Sequence, residues 1–224
     1  MFSLDEEYLK QQTISFYTIS STLRTLGQYQ GKQELLQHQR PELIKTLKTI
    51  AMIQSSESSN RIEGINVDPR RLEKILNETV KPQNRSEAQV LGYRHVLSQV
   101  HHRYQSINLT PKTILKMHKD MLKYTDLEGG VWKRNDNVIE ERRADGTWVT
   151  RFVPVSASET PFYIQSLCDQ FQRLWNQNEI DRLIIIFAFV FDFLCIHPLT
   201  DGNGRISRLL TVLLLHNVNF DVTR

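Results

Sequence analysis

A chain of 224 residues with 40% hydrophobic and 24% charged residues can bury a substantial core, and this is ordinary globular composition. A net charge of +3 is too small to point to nucleic acid, and the most apolar run, residues 183–196, is too short to span a bilayer. Residues 1–7 place no basic region ahead of an apolar stretch, so no signal peptide is expected. Cys168 and Cys195 both fall in apolar helical patterns, which predicts buried reduced thiols and a cytoplasmic location.

Apolar positions at Tyr8, Leu9, Ile14, Phe16, Ile19, Leu23 and Leu26 predict a first helix over 5–26, punctuated by Gly27 and Gly31. Pro41 opens a second, with Leu43, Ile44, Leu47, Ile50 and Ala51 on one face, running toward Gly64, a residue type suited to the position just past a helix end. Asp68-Pro69 reads as a cap and first turn for a helix through Val80, stopped by Pro82. Residues 86–104 form the next, and Thr110-Pro111 repeats the cap signal ahead of 113–124. There His118 reads as a helix-face histidine, and the adjacent His101 and His102 diverge by about 100° and read as surface.

The period then changes. Val131-Trp132 and Val138-Ile139, then Trp148-Val149 and Phe152-Val153, flank Asp145-Gly146 and predict a β-hairpin with Trp132 and Trp148 in its core. Helices resume from 158–161 to Asn178, then over 179–196 and 203–218, with Asp192 expected to be a satisfied buried acid. The class is all-α with one hairpin.

Between the last two helices stands His197-Pro198-Leu199-Thr200-Asp201-Gly202-Asn203-Gly204-Arg205-Ile206-Ser207-Arg208. Pro198 forces the chain to turn at His197. Gly202-Asn203-Gly204 tolerates left-handed backbone, so successive N–H groups can form a concave anion site beside the N-terminus of the next helix. Arg205 and Arg208, three apart, can share a face, and their guanidinium forks suit phosphate oxygens. Two arginines in a first turn oppose the helix dipole, a local conflict expected where function resides. Asp201 is a hard oxygen ligand suited to Mg²⁺ shared with phosphates, and His197 is the nearby group suited to general-base work. These are the parts of phosphate-ester transfer.

That stretch resembles the Fic motif, H-P-F-x-[DE]-G-N-G-R-x-x-R, at every defining position except Leu199, where Phe is usual. Leu is also a large apolar anchor, so the loop is expected to keep its shape. Ser59-Asn60-Arg61-Ile62-Glu63-Gly64 resembles the family's inhibitory motif, [ST]-x-x-x-E-[GN]. The resemblance implies a Fic-type helical core (110–224, cut short at its C-terminus), a β-hairpin flap and an N-terminal helical extension (1–109) that carries the inhibitory motif. It also implies a protein adenylyltransferase moving AMP from ATP to a Ser, Thr or Tyr hydroxyl of a target protein.

On that resemblance His197 would deprotonate the hydroxyl and Asp201 would hold Mg²⁺. Gly202, Asn203 and Gly204 would cradle phosphate. Arg205 and Arg208 would bind the β- and γ-phosphates, and Glu63, with Ser59 and Gly64 in its motif, would compete for Arg208. The flap near 131–153 would hold the target by main-chain pairing. Self-modification and a homodimer are compatible with this reading; nucleic acid and membrane partners are not expected. A related phosphate-transfer or AMP-removing enzyme, and an inactive nucleotide-binding regulatory module, are the alternatives.

Overall fold

A computed structural model describes residues 3–5, 9, 16–76 and 80–220. Eight α-helices appear among them, in order α1 (Phe16–Gln39), α2 (Pro41–Ile62), α3 (Pro69–Leu76), α4 (Arg85–Arg103), α5 (Pro111–Leu122), α6 (Thr160–Gln177), α7 (Arg182–Ile196) and α8 (Asn203–His216). A two-stranded antiparallel hairpin, β1 (Ile139–Arg142) and β2 (Trp148–Phe152), stands between α5 and α6. The all-α class with a single hairpin is what the sequence predicts. The predicted helix start at Tyr8 and Ile14, the tail of the third predicted helix over 77–79, and residues 221–224 lie outside the described residues. No helix among the described residues is long and apolar enough to cross a membrane.

Local chemistry sets the helix boundaries. Asp68 Oδ1 accepts from the Arg70 N–H at 2.7 Å, Asn84 Oδ1 from Glu87 at 2.9 Å, and Thr110 Oγ1 from Thr113 at 3.1 Å. Asp181 Oδ1 accepts from Leu183 at 2.8 Å and starts α7 slightly later than the sequence suggests. Each side chain satisfies an N–H that the first turn would otherwise leave without a partner. Gly27 and Gly31 do not interrupt α1, which runs through both; a glycine lowers helix propensity without forbidding the helix.

The core sits where α4, α5, α6, α7 and α8 converge, with Leu97, Met121, Phe193 and Leu210 fully buried. Gly92 lets α4 and α5 touch. A methyl group built there would lie 1.9 Å from the Met121 carbonyl oxygen, so a side chain would push the helices apart. Asp192 is satisfied as predicted, accepting from the N–H groups of Ser3 and Leu4 at 2.9 and 3.0 Å, and Leu4 is fully buried beside it. Both cysteines are free thiols, and burial raises the Cys168 pKa to about 12.

The hairpin departs from its predicted form. Every β1 residue is exposed, Trp148 is 64% exposed, and Trp132 packs against the main helical core instead of pairing with Trp148. Residues 131–138 are not strand; they follow the main chain past the α7–α8 loop. Val131 and Trp132 are half-buried, and Trp132 packs on the helical core rather than on a second strand.

Candidate active site

Helix α7 ends on His197, which takes a left-handed conformation, φ 51° and ψ 58°. Its N–H still closes the last helical turn on the Phe193 carbonyl at 3.0 Å. Pro198 then turns the chain away, and Leu199 is fully buried, anchoring the loop as a large apolar residue should. Gly202 has φ +85° and caps α8, with its carbonyl accepting from the Ile206 N–H at 2.8 Å. The positive φ disfavours a side chain there, and an added methyl group would also lie 2.6 Å from Met121 Cε, whose side chain would have to move.

The Asn203 side chain turns back onto its own loop. Its Oδ1 accepts from the Leu199 N–H at 2.9 Å and its Nδ2 donates to the Leu199 carbonyl at 2.7 Å. The buried amide is consumed in bracing the loop, so what Asn203 can offer a phosphate is its backbone N–H. The three residues Gly202, Asn203 and Gly204 also do not share left-handed backbone; only Gly202 has a positive φ.

The two arginines point to different partners. Arg205 is 1% exposed, and one guanidinium nitrogen donates to both Asp201 oxygens at 3.1 Å. Its Nε and other terminal nitrogen are buried without a hydrogen-bond partner. Arg208 reaches the end of α2: its Nε donates to Ser59 Oγ at 2.6 Å, and one terminal nitrogen donates to the Ser59 carbonyl at 2.9 Å and Glu63 Oε1 at 2.6 Å. The apparent conflict of two cations in a first turn is thus resolved by two carboxylates, Asp201 and Glu63.

Gly64 delivers Glu63 to that place. The Gly64 N–H bonds the Arg61 carbonyl and the Ile65 N–H the Asn60 carbonyl, both at 3.0 Å, with Gly64 at φ +75°. This paired closure of a helix end requires a left-handed residue, which glycine supplies. The carboxylate then stands over the start of α8: a methyl group built on Gly204 would lie 2.3 Å from Glu63 Oε1 and 3.2 Å from an Arg208 nitrogen. Ser59 is buried, and Tyr93, also buried, turns its hydroxyl toward Ser59 and Ser55; burial pushes the phenol pKa up.

Three side chains outside the predicted set complete the surroundings. His118 on α5 is 2% exposed, on the buried face of its helix, and its Nδ1 accepts from the Gly130 N–H at 3.2 Å. Burial lowers its pKa to about 4, although Asp201 nearby favours the protonated form. The signal was its place among Ile114, Met117 and Met121, an apolar helical stripe. Lys133 is 3% exposed and Asn137 lies beside it; both bond the main chain around His197. Nothing in the local sequence marks them. Burial lowers the His197 pKa, with the Leu194 carbonyl opposing, so the imidazole is neutral at neutral pH. A cleft of about 370 Å³ opens beside Asp201, with His118, Trp132, Lys133 and Thr200 in its wall. The other paired histidine, His101, bonds His216 across 2.9 Å, away from this loop.

A neutral imidazole, a half-exposed carboxylate, a helix N-terminus and two arginines within one loop can remove a proton, bind a hard cation and hold phosphate oxygens.

Comparison with known proteins bears on that chemistry. Residues 108–215 match the sequence model of the Fic/DOC family. Two curated relatives, both named protein adenylyltransferase Fic, from Drosophila erecta and Drosophila melanogaster, are 26% identical over 207 residues. Those matches cover 88% of this chain and 39% of each relative, so the chain spans about two fifths of the relatives' length. Among solved structures, a Fic domain containing signaling protein from Bacteroides thetaiotaomicron superposes with TM-score 0.74 at 23% identity, covering 86% of this chain and 72% of that one. Fic-1 from C. elegans gives TM-score 0.69 at 21% identity, over 97% of this chain and 63% of its own. This chain carries a Fic/DOC family domain over residues 108–215.

Proposed function

We propose that this protein transfers AMP from ATP to a hydroxyl of a target protein and that Glu63 restrains the transfer. The observation that carries the reading is the Glu63–Arg208 ion pair at 2.6 Å, set on the same loop as a neutral His197. In the uninhibited state, Arg208 takes the γ-phosphate in place of Glu63, and the backbone from Gly202 to Gly204 with the first turn of α8 receives phosphate oxygens. His197 accepts the proton of the target hydroxyl. The hydroxyl oxygen bonds to the α-phosphorus, the bond to the β-phosphate oxygen breaks, and pyrophosphate leaves.

Asp201 fits Mg²⁺. Its side chain is half exposed, it is a hard oxygen donor, and it faces the open cleft. No group of three or more His, Cys, Asp or Glu side chains that could hold a metal occurs among the described residues. A single protein carboxylate suits an ion that keeps water and substrate phosphates as its other ligands. When bound, Mg²⁺ would neutralise phosphate charge. Arg205 would shift from Asp201 toward phosphate, where its buried nitrogens without partners would gain acceptors.

Residues 1–109 act as the regulatory region and 110–224 as the catalytic core. The exposed β1 edge holds an extended target segment by main-chain pairing. The test is incubation of the Glu63→Gly variant with α-labelled ATP, Mg²⁺ and a cell lysate, with His197→Ala on the same background as control. Labelled protein carrying the mass of AMP, lost in the control, is expected. Absence of label from every protein, this chain included, sinks the transferase reading in favour of a nucleotide-binding regulatory module.

A further inference from the structure

The left-handed conformation of His197 needs an external hold. A residue with a Cβ disfavours that region, and a residue before proline prefers extended backbone. Here three consecutive carbonyls around it are bonded from one short segment. Lys133 Nζ donates to the Ile196 carbonyl at 3.2 Å, Asn137 Nδ2 to the His197 carbonyl at 3.4 Å, and the Lys133 N–H to the Pro198 carbonyl at 2.8 Å. Lys133 Nζ also donates to Asn137 Oδ1 at 2.8 Å, so the two side chains brace each other.

We propose that Lys133 is a positioning residue for His197, fixing the backbone that carries the imidazole and placing a positive charge beside it. This rests on the reading of His197 as the proton acceptor. Lys133 is 3% exposed, and an ammonium group is costly to bury. A structural tie to a carbonyl could be made by a neutral donor. A cation does more, because it disfavours protonation of the neighbouring imidazole and keeps it able to accept a proton.

The charged groups facing His197 are Lys133, which lowers its pKa, and Glu63, which raises it; Asp136 faces Lys133 in turn. Burial lowers the Lys133 pKa while Asp136 favours the ammonium. Lys133 sits between the core-packed Trp132 and the surface ion pair of Arg134 with Glu128. The segment that leads into the hairpin is therefore fastened to the end of α7.

The experiment compares Lys133→Met and Lys133→Arg on the Glu63→Gly background. Both keep the main-chain bond to Pro198. The His197 imidazole is titrated by NMR, its signal assigned by its loss in His197→Ala. Lys133→Met is expected to raise the His197 midpoint by about half a unit or more, and Lys133→Arg to leave it low. In AMP transfer, Lys133→Met is expected to lower kcat by about a hundredfold with KM for ATP little changed. The acid limb of the kcat profile should move with the NMR midpoint, and Lys133→Arg should recover both.

An unmoved midpoint and kcat in Lys133→Met, or a Lys133→Arg variant as impaired as Lys133→Met in both readouts, overturns the proposal. Should Lys133→Met fail to fold, Asn137→Ala decides: a fall in kcat at constant KM supports the brace, and an unchanged kcat refutes it. If the Glu63→Gly parent transfers no AMP, the transferase reading fails. The NMR titration still reports whether Lys133 governs His197.

Discussion

Replacing Glu63 with Gly should raise the affinity for ATP in the presence of Mg²⁺, by an amount the structure bounds. Of the three hydrogen bonds Arg208 makes at the end of α2, two go to Ser59 and survive; only the 2.6 Å bond to Glu63 Oε1 is lost. The two side chains are 31% and 34% exposed, so solvent screens the pair. A partly screened, charge-assisted bond of this length is worth about 1.5 kcal/mol, above the exposed-pair range but well below a buried pair. Releasing Arg208 therefore corresponds to about a tenfold gain in affinity.

That figure is a lower bound, because the Glu63 carboxylate also stands over Gly204, where phosphate would sit, and repels it. Isothermal titration of the wild type, Glu63→Gly and Glu63→Gln with Mg²⁺ and ATP measures the effect. Glu63→Gln keeps the bulk and removes the charge, so it should fall between the other two. Equal affinity in the wild type and Glu63→Gly, both shown to be folded by circular dichroism, would refute the reasoning.

Other outcomes follow from the same geometry. His197→Ala on the Glu63→Gly background should reduce AMP transfer by about a hundredfold or more, read by intact mass of the modified protein, since the other proton acceptor on the loop, Asp201, is engaged by Arg205 and assigned to Mg²⁺. His118 resists protonation in the folded state, with its pKa lowered to about 4 from 6.5. Its contribution to stability is therefore complete above pH 6.5 and lost as pH falls toward 4. It amounts to about 3 kcal/mol, so urea unfolding between pH 7 and 4 should be steeper in pH for the wild type than for His118→Gln. Gly92→Ala should destabilise by about 3 kcal/mol, the upper end for overpacking, because the added methyl meets Met121 backbone rather than a movable side chain. A Tm unchanged from wild type would contradict the close α4–α5 contact.

The helix caps were legible because they are local. Asp68, Thr110 and Gly64 each act within a few residues of their own position, and the structure places them as the sequence predicts. Local reasoning failed where a side chain's partner was distant or ambiguous. The spacing of Gly202-Asn203-Gly204 says nothing of where the Asn203 amide goes, and it closes on Leu199. His118 reads as a helix-face histidine, but with lysines beside it the sequence does not say which face; its apolar helical spacing proves the better guide, and it lies inside. Trp132 and Trp148 bracket the hairpin in sequence, but only Trp132 finds the core, since a two-stranded hairpin has too little surface to bury both.

The sequence by itself determined the all-helical class, the hairpin turn at Asp145-Gly146, and the single loop on which His197, Asp201, Arg205 and Arg208 lie. These follow from periodicity, capping and residue spacing, each of which acts over one or two turns of chain. Periodicity and spacing do not say which carboxylate meets which arginine; the resemblance alone pairs Glu63 with Arg208, and the tertiary structure brings Glu63 to Arg208 from the far end of α2 while Asp201 holds Arg205. Only the tertiary structure brought Lys133 and Asn137 against the carbonyls around His197. Such contacts join segments far apart in the chain. Their geometry is set by how the helices pack on a shared core, which no short stretch of sequence encodes.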